Sequence, residues 1–360
     1  MKSRILMLGL ALSFSAGSAL AQPYVEVVNT APATASSPFD TVEGRRAVTP
    51  LPFPIYDNSS SNLNLGPVGE PTTSPGAMPA EGSAAEAQAL YADQWALLTA
   101  PAPAGAVADG NFGGSVGAPN TFTQYCENCG SEPNLNYPQL AMGALFFTSA
   151  QGNGASCSAT VINENLIVTA AHCCYSHATN QGEQSGMNSD FVFVPAYRDG
   201  AAPLGAFDWS SLRYLGSYVN RPRRVNDICL IQLRPDAEGH PVSYYTGWLG
   251  NARNYPYTVN LHAVGYPGNI GDGQFQQLCT STTARPPRRC ERNNVLNMGC
   301  SMTYGASGGA WLLAYRNGSF VNAVVSGYDS EACTGPFGSA FNGPRFVDGN
   351  FGRLCNGDWC

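Results

Sequence analysis

Lysine is almost missing from this 360-residue chain: Lys2 is the only one among 18 basic residues, against 25 acidic ones and a net charge of −7. A protein that neutralises nucleic-acid phosphates carries a basic stripe or patch. Here the longest basic clusters, RPRR (221–224) and RPPRR (285–289), are short and read as solvated loops. Histidine is also scarce, with four in the chain: His172, His177, His240 and His262. A histidine base must be one of these. No cysteine precedes Cys126. After the first twenty or so residues no apolar run approaches the roughly 18 residues of a membrane-spanning helix, so no membrane partner is expected. No acidic cluster resembles a calcium loop, no cofactor or metal is expected, and no internal repeat is visible.

What is present divides the chain. MKSRILMLGLALSFSAGSALAQ has a basic start, an apolar centre over Ile5–Phe14 and small residues Ala19-Leu20-Ala21 before Gln22. This is the pattern of a secretory signal peptide, so residues 1–21 are read as a signal and the protein as secreted or periplasmic. Residues 22–119 hold 13 of the 26 prolines, nine acidic residues, Arg45, Arg46 and no cysteine. Such a stretch cannot by itself bury enough apolar surface to offset ordering entropy, and it reads as a Pro-rich pro-segment or linker with one short helix over 83–98. All 12 cysteines lie between Cys126 and Cys360, and in an exported chain they predict disulfides.

The cysteine-rich part reads as short strands divided by turns: 139–147, 157–162, 166–171, 190–197, 228–233, 259–266, 309–315 and 321–328, each rich in Val, Ile, Leu, Phe or Tyr and bounded by Gly, Asn, Pro or Ser. Little of it has a helical period. An all-β barrel or sandwich is the expected class.

TYGASGGAW (303–311) sets Ser307 among glycines. A serine hydroxyl needs an adjacent base, and the base needs a group that fixes its tautomer. His172, in VTAAHCC, ends an apolar strand; a Cys157–Cys173 bridge would hold its backbone. His177 and His240 sit in polar loops, and His262 alternates within a strand. Asp227, in VNDICLIQL, opens an apolar strand, where a carboxylate drawn inward needs a partner; a strand-capping role is the plainer alternative. GASGG also satisfies the nucleophile-elbow pattern, but that architecture places a histidine after the serine, and none follows Ser307. An order with the acid ahead of the histidine would draw on low-complexity sequence. The order His172, Asp227, Ser307 is the chymotrypsin order.

TAAHC, NDICLIQL and GASGG together resemble the three catalytic blocks of trypsin/chymotrypsin-like serine peptidases, over roughly residues 134–340. GYPG (265–268) and YPQLAMGALFFT (137–148) look closer to the bacterial branch that contains V8-type glutamyl endopeptidases. The resemblance implies two six-stranded-type β-barrels with a cleft between them, in a domain spanning 120–360. It implies a secreted serine endopeptidase acting on proteins or peptides, with His172 as base, Asp227 as its orienter, Ser307 as nucleophile, and the Gly305 and Ser307 N–H groups as the oxyanion hole. A catalytically silent peptidase-like binding protein, or an esterase using the same triad, are the alternatives. Ser301, Val325 and Ser326 fall near the substrate pocket, and the resemblance suggests Cys300–Cys333 beside Cys157–Cys173. Cys279–Cys290 and Cys174–Cys229 complete the expected pairings. Cys126, Cys129, Cys355 and Cys360 are left as further disulfides, with zinc as the alternative.

Two positions depart from the pattern. Ala306 stands where trypsin-like members carry the aspartate that receives a freed N-terminal amine, so removal of a pro-segment would relieve occlusion instead of building that ion pair. Val325 stands where V8-type enzymes carry a pocket histidine, and Ser301 is not acidic. Neither Glu nor Arg/Lys specificity is therefore expected, which leaves a neutral pocket for apolar or aromatic side chains.

Overall fold

The computed structural model describes residues 24–32, 36–54, 56, 65–100, 102, 122–130, 135–178, 184–329, 341–357 and 359–360. The expected signal peptide and Cys333 lie outside the described residues.

Six antiparallel strands close the first barrel: Met142–Thr148, Gly154–Asn163, Leu166–Thr169, Cys229–Leu233, Phe207–Leu215 and Ser189–Pro195, the last pairing back with the first. Gly154–Asn163 is buried at eight consecutive positions. A barrel strand that is also covered from outside loses the apolar/polar alternation of a half-exposed sheet, which is why these segments read as continuous apolar runs. The second barrel combines a seven-stranded sheet, running from Thr72–Ser74 to Phe122–Cys126, with a three-stranded one formed by Val295–Met298, Phe341–Pro344 and Gly327–Tyr328. The bridges Ala284–Asn297 and Ala323–Arg345 join the two. Trp311, Met298, Met302, Leu261 and Phe341 fill its core.

Each of the eight predicted strand segments overlaps an observed strand. The 166–171 segment stops at Thr169, and Ala171–Cys174 turns into a single helical turn. The 321–328 segment splits into Phe320–Val324 and Gly327–Tyr328.

The Pro-rich part is docked on the barrels. Tyr24–Val28 adds antiparallel to Phe207–Leu215, and Thr49–Pro50 pairs with Ala155–Ser156 in parallel. The predicted helix over 83–98 is two helices, Ser83–Leu90 and Ala92–Leu97. Buried Arg45 donates to the carbonyls of Gly200 and Phe39, and Trp95 Nε1 donates to Pro203 O. Phe39, Tyr56, Leu65 and Leu98 are all buried. This segment obtains from the barrels the apolar surface that its own composition does not supply.

Candidate active site

The three candidate catalytic residues arrive from three different places and meet between the barrels. His172 lies in the one-turn helix Ala171–Cys174, and the two cysteines that follow it are both pinned: Cys173 to Cys157, and Cys174 to Cys229 in the strand that begins two residues after Asp227. Asp227 ends the 3-10 turn Arg224–Asn226. Ser307 sits in the GASGG turn. That turn needs glycine at two points: Gly305 has φ +86°, and a Cβ there would lie 2.5 Å from Tyr266 O; Gly308 has φ +77°, and a Cβ there would lie 2.0 Å from Thr169 Oγ1.

His172 Nε2 lies 2.6 Å from Ser307 Oγ, and Nδ1 lies 2.8 Å from Asp227 Oδ2. An ionised carboxylate can only accept, so Nδ1 carries the proton and Nε2 presents a lone pair to the serine hydroxyl. The His172 backbone N–H donates to Asp227 Oδ1 at 2.9 Å, which fixes the carboxylate at both oxygens. Oδ2 also accepts from Ser326 Oγ at 2.6 Å and from Tyr56 OH at 2.7 Å. Burial works against the Asp227 charge, but His172 beside it and these donors win, and its pKa falls below the ordinary aspartate value. Burial, together with the Asp227 charge, pushes the Tyr56 hydroxyl well above the usual tyrosine range, so it stays a donor.

Ser326 was expected on a pocket wall. It instead supports the aspartate. Val325 is not on that wall either: it is fully buried in the second barrel's core, and its backbone N–H and C=O bond Gly309 O and Gly308 N–H, bracing the serine turn. Of the three expected pocket residues Ser301 alone keeps some exposure, and its hydroxyl bonds Gln124 Oε1. Tyr328, which the sequence reading did not single out, has its hydroxyl between Cys300 O at 3.1 Å and Met302 O at 2.6 Å. It thereby spans the gap between the strand that follows Ser326 and the segment leading to Ser307.

The Cys300–Cys333 expectation is corrected: Cys300 bonds Cys279. Cys279 and Cys300 both lie in the second barrel's core cluster. This pairing also replaces the expected Cys279–Cys290; Cys290 is disulfide-bonded. Cys126–Cys129 and Cys355–Cys360 are disulfides, so those four thiols are taken up in bonds to each other and are not a zinc-ligand set.

The Ala306 departure has a structural answer. In the Tyr304–Gly305 peptide, the Tyr304 carbonyl accepts from Gly268 N–H at 2.6 Å, and the Gly305 N–H on the other side donates to Leu51 O at 3.2 Å. A trans peptide points its C=O and N–H in opposite directions, so Gly268 turns the Gly305 N–H towards the cleft. Ser158 Oγ holds the following peptide by donating to Gly305 O at 2.9 Å, and Ser158 N–H donates to Ser307 O at 2.7 Å. The donor peptide is therefore set by neutral hydrogen bonds, with no buried ion pair at position 306. Ala306 is fully buried in the second core cluster and packs against Gly265, where a Cβ would come within 3.2 Å of it. Ala306→Asp should bury a carboxylate without a partner and destabilise the fold by about 3 kcal/mol or more. The midpoint of denaturant unfolding measures this, and an unchanged midpoint would contradict the packing described.

Two barrels with a hydrogen-bonded serine, histidine and aspartate in the cleft between them form a chymotrypsin-type architecture. Residues 157–321 match the family model described as a trypsin-like peptidase domain, and the fold is that of the trypsin-like serine proteases. Among solved structures the chain is similar to a thermostable serine protease from an extremophilic microorganism, at 26% identity and TM-score 0.51, covering 60% of this chain and 95% of that one. It is similar to the protease Anisep from Arthrobacter nicotinovorans at 24% identity and TM-score 0.50, covering 61% and 95%. A Glu endopeptidase matches at 18% identity and TM-score 0.48, covering 61% and 90%. No curated protein matches the chain. Among the described residues no helix is long and apolar enough to cross a membrane.

Proposed function

We propose that the protein is a secreted serine endopeptidase that cleaves peptide bonds through an acyl-enzyme. The observation that carries this reading is the unbroken line from Ser307 Oγ through His172 to Asp227, with contacts of 2.6 and 2.8 Å. In this reading His172 Nε2 takes the Ser307 proton as Oγ attacks the scissile carbonyl carbon. The charge that develops on the carbonyl oxygen is met by the Gly305 and Ser307 N–H groups. His172 then passes its proton to the leaving nitrogen, and the C–N bond breaks. Water repeats the sequence on the acyl-enzyme and releases Ser307. Asp227 keeps the imidazole in the productive tautomer and stabilises its charged form without itself taking the proton. The GYPG stretch that carries the likeness to the bacterial branch contains Gly268, which orients the oxyanion-hole peptide.

A fluorophosphonate, which labels activated serines, should modify Ser307 in the wild type and nothing in Ser307→Ala. A chromogenic peptide panel run beside a p-nitrophenyl ester separates peptidase from esterase. Ester turnover without any peptide turnover would reject the endopeptidase reading. Turnover that persists unchanged in Ser307→Ala would reject the mechanism.

A further inference from the structure

The chain's own N-terminal part lies against the candidate site. Ser307 and Asp227 have no exposed surface, and His172 is 4% exposed. Against this site lies the stretch Thr49-Pro50-Leu51-Pro52-Phe53-Pro54, with Tyr56 just beyond it. It enters alongside Ala155–Ser156, where Leu51 N–H donates to Ser156 O at 2.9 Å. Leu51 then gives its carbonyl to the Gly305 N–H, the donor assigned above to the substrate's oxyanion. Pro50 lies over the same turn, its Cβ 2.8 Å from where a Cβ on Gly305 would be. Phe53 enters between the two segments that flank Ser307. Its ring meets Tyr304 at 5.7 Å, Tyr328 at 5.5 Å and Phe341 at 6.5 Å, all edge-on, and it lies 3.4 Å from where a Cβ on Gly327 would be. Tyr56 ends the run on Asp227.

Resting on the peptidase reading above, we infer that this Pro-rich strap is an intramolecular occupant of the substrate cleft, and that Phe53 marks the pocket for an aromatic side chain of the substrate. The pocket chemistry favours this. Its walls are three aromatic rings and a glycine, and offset or edge-on ring pairs contribute beyond their buried area. Tyr328, tied to two carbonyls, closes it off behind Phe53 with an apolar ring face. Among the described residues no charged side chain makes these ring contacts, so a cationic or acidic substrate side chain would meet rings there and not a counter-charge.

The strap is built to stay uncut. The bonds after Leu51 and Phe53 are Leu51–Pro52 and Phe53–Pro54. Their nitrogens carry a ring carbon in place of a hydrogen, which crowds the leaving nitrogen that the histidine must protonate. A substrate also offers carbonyl and side chain from one residue. Here Leu51 supplies the carbonyl and Phe53 the side chain, so no single bond is set up for attack. Alternating prolines pre-extend the strap and lower the entropy lost in docking it.

The test uses the full secreted chain as wild type, Phe53→Ala and the gentler Phe53→Leu, each checked for a cooperative thermal transition. Fluorophosphonate labelling rate and kcat/KM on peptides ending in Phe, Tyr, Leu, Arg or Glu are the readouts. Emptying the pocket should raise the open fraction, so labelling and hydrolysis by Phe53→Ala should rise about tenfold or more over wild type, with Phe53→Leu between them. Peptides ending in Phe or Tyr should be cleaved about tenfold better than those ending in Arg or Glu. Equal rates in wild type and both variants would overturn the strap, and a preference for Arg or Glu would overturn the pocket. Folded variants that neither label nor hydrolyse would instead sink the peptidase reading, and this inference with it. If Phe53→Ala does not fold, Phe53→Leu decides by the same criteria.

Discussion

Ser307→Ala, made in the Phe53→Ala background so that the cleft is open, is expected to lower peptide hydrolysis by on the order of 10^6. The hydroxyl is the only nucleophile within reach of the base: among the described residues His172 Nε2 has no other hydrogen-bond partner. Loss of Oγ leaves the donor peptide untouched, because Gly305 is oriented by Gly268 and Ser158, not by the serine side chain. Some acceleration over water, about 10^3-fold or more, should therefore survive. Stability should change little, by about 1 kcal/mol, since one hydrogen bond is lost and the cavity is that of a single oxygen. Single-turnover kinetics with a tight-binding peptide and a thermal melt on the same sample make the comparison. A drop of less than about tenfold would mean that another group does the chemistry.

Much of this site was legible in the sequence because its parts are local. The apolar runs that end in His172, begin after Asp227 and follow Ser307 each encode a strand and its turn, and the order of the three residues alone rejected the elbow architecture. The glycines of GASGG announce the turn. The support of the site was not legible in the same way. Tyr56 reaches Asp227 across 171 residues, Ser326 across 99, and Gly268 orients a peptide carbonyl 36 residues on. Nothing in local composition distinguishes a serine on a pocket wall from one that donates to a buried carboxylate. The docking of the Pro-rich segment was not legible for a different reason. Its composition says nothing about a surface that the barrels provide, and Tyr24–Val28 and Thr49–Pro50 pair with barrel strands. The disulfides divide along the same line. Cys157–Cys173 joins a strand to the helical turn just after the next strand and could be read from spacing, whereas Cys279–Cys300 depends on how the second barrel closes.

Asp227→Asn is the other large effect. In the wild type Oδ2 accepts three donors and Oδ1 accepts the His172 backbone N–H. An asparagine has one oxygen and one NH₂ to set against those four donors. With its oxygen in the Oδ2 place, the NH₂ faces the His172 backbone N–H. Turned the other way, the NH₂ faces Ser326 and Tyr56 and donates to His172 Nδ1, which moves the imidazole proton to Nε2 and removes the lone pair that Ser307 needs. Both arrangements bury a donor against a donor, and the second disarms the base. A fall in kcat of about 10^4 is expected in the Phe53→Ala background. The stability cost should depend on pH with a definite sign. The folded-state pKa of Asp227 is depressed, so its ionised form contributes stability that is fully present above the unfolded value of about 3.9. That contribution is lost as pH falls through the lower folded value. The stability gap between wild type and Asp227→Asn should therefore be wide near neutrality and narrow below about pH 4. Urea unfolding across that range tests it. A gap that widens on acidification would mean that the carboxylate is bound more tightly as the neutral acid, which the four donors around it do not allow.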